Sequence, residues 1–162
     1  MVQFLIGAFL FVLTTVSVQA ETVEHSYEAV MHVRSTHALP ILDNPSHVVG
    51  IAEFRGLAIF EGGEITIHRY DGWFDITDGS GAFHGYALWS FDDGSEIRAP
   101  YSGTARAYGN DGVEVKAQFE EVSGTGRFEG ASGSGDFEGR RLDAIDKGGS
   151  TYLKGTLIVT MP

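Results

Sequence analysis

Cysteine is absent from the 162-residue chain. That excludes disulfide staples, thiolate metal sites, a thiol nucleophile and lipoprotein anchoring, so packing and strand pairing must hold the fold. Basic residues are scarce, with 11 Lys and Arg against 22 Asp and Glu and a net charge of −11. Nucleic acid and anionic membrane both call for clustered Lys and Arg, so neither is an expected partner, and the acidic excess reads as solubility. Beyond residue 20 no segment sustains the i, i+3, i+4 apolar spacing of an amphipathic helix. A nucleophile elbow, a zincin helix and a Ser-His-Asp set with supporting context are also missing.

The first 20 residues are unlike the rest. Phe4 to Leu13 is an apolar run broken only by Gly7, and Val18-Gln19-Ala20 places small residues where a signal peptidase reads. The run has no flanking Lys or Arg and falls short of the ~20 residues a bilayer needs. It therefore predicts a signal peptide over 1–20, cleavage after Ala20, and a secreted or periplasmic protein with no membrane attachment after cleavage. Residues 21–162 have the length of one domain and can bury about two thirds of their unfolded surface.

Two near-copies of a heptapeptide, Gly124-Thr125-Gly126-Arg127-Phe128-Glu129-Gly130 and Gly133-Ser134-Gly135-Asp136-Phe137-Glu138-Gly139, stand near the C-terminus. Their spacing is G-x-G-x-x-x-G, no Lys-Ser/Thr follows and no helical pattern succeeds either copy, so a phosphate loop is not indicated. Alternate glycines around one Phe fit sharply turned, closely packed β structure with the Phe as a core anchor. Two-residue alternation runs through the remainder, as in Val113-Glu114-Val115-Lys116-Ala117-Gln118-Phe119. It predicts an all-β fold of eight strands near 23–34, 48–60, 64–77, 81–91, 95–109, 113–122, 134–142 and 150–161, with residues 36–47 as one long loop.

Turn length fixes which residues oppose each other. A two-residue Gly62-Gly63 turn and three-residue Asp78-Gly79-Ser80, Asp92-Asp93-Gly94 and Asn110-Asp111-Gly112 turns place Phe54, Ala58 and Phe60 on one face with Ile65, Ile67, Arg69, Asp71 and Trp73. Phe83, Ala87, Trp89, Phe91, Ile97, Tyr101, Gly103, Ala117 and Phe119 join them. Large faces small across this interior: Trp73 opposes Gly85, and Gly103 lies between Phe83 and Phe119. An antiparallel up-and-down meander with one buried face, tapering into a small closed barrel, is the expected architecture.

The run Ser123 to Leu142, with the final Thr156-Leu157-Ile158-Val159-Thr160 strand, resembles the secreted bacterial proteins with an allene oxide cyclase-like barrel. That barrel is similar to the plant dirigent barrels, which carry a related Gly-Gly-Thr-Gly-x-Phe segment. The resemblance implies a calycin-like, eight-stranded barrel with an apolar lumen that commonly self-associates, so a homo-oligomer is expected. It transfers no activity, because no cyclase catalytic position matches a residue of this chain.

The expected lumen carries chemistry at two places. Arg69 and Asp71, with Trp89 across the strand, form a polar anchor that could grip a carboxylate or carbonyl, or else a structural ion pair or an outward-turned strand end. His25 and Tyr27 from the first strand would join Tyr101 as an acid/base set or as tolerated core polar groups. His68, Tyr70, His84 and Tyr86 are expected on the outer face as a solvated or oligomer-facing stripe without a third ligand for a metal. Asp92-Asp93-Gly94 lacks the alternating ligands of a calcium loop. No cofactor and no metal are expected. The expected partner is a small hydrophobic molecule held in the lumen. A cofactor-independent cyclase or isomerase, or a filled barrel acting only through its surface, are the alternatives.

Overall fold

The computed structural model describes residues 20–42 and 44–162, so the expected signal peptide, Ala20 apart, lies outside the described residues. Its strands are β1 (Glu21–Ile41), β2 (Asn44–Phe60), β3 (Ile65–Thr77), β4 (Ser80–Ser90), β5 (Glu96–Tyr108), β6 (Gly112–Phe119), β7 (Ser123–Thr125), β8 (Ser132–Arg141) and β9 (Thr151–Met161). Neighbours pair antiparallel in the order β4-β3-β2-β1-β9-β8-β6-β5, and β4 pairs with β5 to close an eight-stranded barrel. β7 is an additional short strand on β5, spanning Glu96–Arg98.

One end is closed. The β2–β3 and β4–β5 turns meet residues 120–131 there, and Phe91 stacks on Phe60 (5.8 Å between ring centroids) and packs against Phe128 (5.0 Å). The Arg127 guanidinium lies over Phe91 at 4.4 Å and pairs with both Glu64 and Asp93, so one side chain ties three loops together. The two heptapeptides thus differ in structure. The first turns through a single 3-10 turn and plugs the barrel end, and the second is strand β8, yet Phe128 and Phe137 both pack on the core.

The other end is open, and two features shape it. β1 and β2 continue past the expected loop at 36–47 as a paired hairpin, with Thr36 opposite Ala52 and Pro40 opposite Val48. The alternation carries the strands on because Pro40 takes an edge position without breaking the pairing. A bulge between Val33 and Ser35 then shifts the side-chain alternation, so Thr36 and Ala38 face the lumen where the residues before the bulge did so at odd positions. The Val33 N–H donates to the Gly148 carbonyl at 2.9 Å and fastens the β8–β9 loop to the same rim.

β3 presents the opposite face from the one expected. The β2–β3 turn is the three-residue loop Glu61-Gly62-Gly63, closed by Phe60 N–H to Glu64 O at 2.9 Å, with Gly63 at φ 84°. Ile59 therefore faces Ile65, one residue out of the expected register. The β3–β4 turn is the two-residue Asp78-Gly79, with φ of 51° and 74°, the left-handed pair that a tight hairpin requires. The two differences have opposite sense, so β4 returns to its expected face while all of β3 is inverted. Thr66, His68 and Tyr70 point inward, and Ile65, Ile67, Arg69, Asp71 and Trp73 point outward.

Gly103 is inward as expected, opposite Phe83 and Ala117 rather than Phe119, because the β5–β6 register differs by two residues and keeps the face. A Cβ at this position would meet the Lys116 carbonyl oxygen, the Ala117 Cβ at 2.5 Å and the Phe83 ring at 2.7 Å. Gly103→Leu is expected to overpack the wall and lower stability by about 1–3 kcal/mol or more, measured by chemical denaturation; an unchanged midpoint would contradict the register.

Candidate functional site

Aromatic rings fill only part of the barrel. Tyr27, Phe60, His68, Trp89, Phe91 and Phe119 interlock in the closed half. Above them Tyr70, Tyr101 and Phe137 form a floor, with ring centroids 5.1 Å apart for Tyr70–Tyr101 and for Tyr70–Phe137. Over this floor lies a cavity of about 410 Å³ that opens at the end bearing the β1–β2 hairpin tip. Its walls are apolar, built by Met31, Phe54, Phe74, Phe83, Val115 and Leu153, and its rim includes Val48, Ile76, Ile145, Asp146 and Arg141.

The polar groups are few and placed at the two ends of the cavity. The Tyr70 hydroxyl lies 3.2 Å from that of Tyr27, which is buried one layer deeper. The Tyr101 hydroxyl rests on the facing pair Gly72 and Gly85, where an added Cβ at Gly85 would stand 2.5 Å from it. Burial raises the pKa of Tyr27, Tyr70 and Tyr101, and Asp71 adds to the rise at Tyr101. All three phenols stay protonated through the physiological range, so the floor offers O–H donors and weak bases only. At the rim, desolvation lowers the Arg141 pKa against the opposing pull of Asp143, and the Arg141 Nε donates to the Asp143 carbonyl at 3.0 Å.

Of the side chains expected to meet in the lumen, Tyr101 lines the cavity and Tyr27 stands directly behind Tyr70. Arg69 and Asp71 do not. They form an exposed ion pair on the outer wall at 2.9 Å, because the longer β2–β3 turn inverts their strand. Trp89 is fully buried but stacks on His68 at 4.5 Å, below the floor and away from Arg69. His25 is half-buried at the closed end, edge-on to Phe60 at 6.3 Å. His68 and Tyr70, expected outside, lie in the core, while His84 and Tyr86 remain outside, so the two histidines cannot share a metal. Among the described residues no group of three or more His, Asp or Glu is arranged to hold a metal ion.

The barrel is similar to a solved structure. It is that of a pterocarpan synthase dirigent protein, with a TM-score of 0.46, 13% identity, and coverage of 95% of this chain and 98% of that one. No family model matches the chain. No curated protein matches it either. The eight-stranded antiparallel closure is a property of this chain's own strand pairing.

Sequence reasoning misses Tyr70 and Arg141. The inverted register of β3, which a glycine at φ 84° in the turn decides, conceals Tyr70. Arg141 stands at the end of β8, where only the return of the 142–150 loop brings it to the rim, and no local pattern marks that.

His68 gives the closed half a pH dependence. Burial lowers its pKa to about 3 from 6.5, and its Nδ1–H donates to the Leu88 carbonyl at 3.0 Å, so the folded protein keeps the ring neutral. The unfolded chain takes up that proton below about pH 6.5, so the stability is fully present above this value. It is lost as pH falls toward 3, by about 1.4 kcal/mol per unit. Denaturation between about pH 4 and 6 should show this slope, flattened in His68→Phe; identical slopes would contradict a neutral buried imidazole.

Proposed function

We propose that this protein is a binding barrel whose open end holds one small, largely apolar molecule. The carrying observation is the cavity of about 410 Å³, apolar on all walls and closed below by two protonated tyrosines. Volumes of about 300–1,000 Å³ with a few placed polar groups are those of small-molecule sites. Eight strands are the number at which a barrel interior can either fill with side chains or keep room for one ligand. Here the closed half does the first and the open half the second. Tyr101, whose hydroxyl has no side-chain partner among the described residues, would donate to a carbonyl or ether oxygen of the ligand, and the apolar body would lie against Phe54, Phe74 and Phe83.

Binding rather than turnover is the reading the site favours. The floor phenols have raised pKa values and cannot serve as bases near neutral pH, and His68, the imidazole nearest them, is sealed beneath Tyr70 at 4.6 Å between centroids. We also propose export, with the mature chain starting at Glu21. In support, β1 begins at that residue and pairs it with Met161. N-terminal sequencing of the mature protein should begin at Glu21; recovery of Met1-containing protein in the membrane fraction would count against export.

The cavity is tested with N-phenyl-naphthylamine, a neutral apolar fluorophore. Ala105 lines the cavity from β5, and Ala105→Phe should place a ring in the vacant space, keep the fold and weaken dye binding about tenfold or more. Tyr101→Phe should leave dye binding intact and weaken displacement by carbonyl-bearing competitors. Unchanged dye affinity in a folded Ala105→Phe protein would place the binding elsewhere.

A further inference from the structure

The outer wall of β2 and β3 carries a pattern that the interior does not account for. Glu53 pairs across the strands with Asp71, and Arg55 pairs with Arg69, so two carboxylates stand side by side and two guanidiniums stand beside them, one row along. Like charges directly opposite on a sheet are unfavourable, and of these four side chains only Arg69 and Asp71 pair with each other, while His47–Asp75 is a separate pair at the end of the wall. The rows beyond are apolar on both sides. Leu57 opposite Ile67 follows the arginine row, and Ile51 opposite Trp73 follows the acidic row, each of these side chains being 40 to 57% exposed.

We propose that two copies of this chain pair through this wall as a two-fold homodimer. A two-fold axis that lies in the interface, across the strands and between the two charged rows, exchanges those rows. It sets Arg55 against the second copy's Glu53 and Arg69 against the second copy's Asp71, each contact made twice. The same operation sets Leu57 against Ile51 and Ile67 against Trp73. On β4 it brings Leu88, the neighbour of Arg69, against Tyr86, the neighbour of Asp71 and itself 62% exposed. Self-complementarity under one two-fold operation is what an isologous interface requires. The charge balance points to the same occupant. A chain of net charge −11 repels its own copies over most of its surface, whereas these two central rows set two of its 11 basic residues against two carboxylates and balance in charge. A basic partner would find its complement on almost any other face.

Charge exchange tests the geometry. Sedimentation and native mass spectrometry of the wild-type protein at micromolar concentration should show a dimer. Arg69→Asp alone and Asp71→Arg alone should each weaken self-association tenfold or more, since each faces its own charge in the second copy. Both sites are exposed, and circular dichroism should report the wild-type fold for both variants. An equimolar mixture of the two should form the mixed dimer, in which the introduced aspartate of one chain meets the introduced arginine of the other and the remaining pairs are native. A monomeric wild type, variants that self-associate like wild type, or a mixture that stays monomeric would each overturn the proposal. A wild-type oligomer that neither single variant perturbs would assign assembly to another face.

Discussion

Closing eight strands into a barrel sets an interior width that side chains must either fill or leave open, and the rest of this structure follows from how that choice is divided along the axis. In the closed half the chain supplies a stack of rings, from Phe60 and Phe91 at the plug to Trp89 and Phe119 above them, packed among smaller inward residues such as Ala58, Ala87, Ile97 and Leu157. The clasp of Arg127 on Glu64 and Asp93 holds the plug across loops distant in sequence. In the open half the small inward residues Ala38, Ala52, Gly72 and Ala105 stand among the rings of Phe54, Phe74 and Phe83, and a cavity remains between them. The same wall is therefore a packed core at one end and a container at the other. Packing in the closed half lets the open half keep a cavity without disulfides.

The barrel is legible in the sequence because inward and outward residues alternate on most strands and their turns contain glycine and aspartate at the required places. Turn lengths assign Phe83, Trp89, Ile97, Tyr101 and Ala117 to the interior, and the structure buries or half-buries each of them. The inversion of β3 shows the limit of that reasoning. Glu61-Gly62-Gly63-Glu64 can close as a two-residue or a three-residue turn, and the choice rests on one glycine taking φ 84°. Both faces of β3 are plausible interiors by composition, since one offers Ile65, Ile67 and Trp73 and the other Thr66, His68 and Tyr70. The apolar face lies outside, which leaves Arg69 and Asp71 on the surface and a histidine and a tyrosine in the core. Arg141 and the Thr36–Ala38 segment reach the cavity rim through a long loop and a bulge, and neither has a signature in local periodicity.

That inversion links the two surfaces of the molecule. By turning Tyr70 inward it gives the cavity one of its two floor hydroxyls, and by turning Ile67, Arg69, Asp71 and Trp73 outward it leaves an exposed wall with paired rows of charge and apolar rows beyond them. The hydroxyls are held protonated by burial, and the imidazole below them is held neutral by the same cause, so the lumen presents donors and apolar surface rather than a proton-transfer relay. An interior of this kind suits retention and orientation of a molecule that is mostly hydrocarbon with one or two oxygen acceptors.

Mass spectrometry of the material extracted from protein purified from its native host tests the lumen most directly. A lumen-binding barrel should yield one apolar small molecule in near-stoichiometric amount, retained by the wild type and depleted in Ala105→Phe prepared in parallel. Extracts without such a molecule, or with the same content in both proteins, would contradict a ligand in the open half of the barrel.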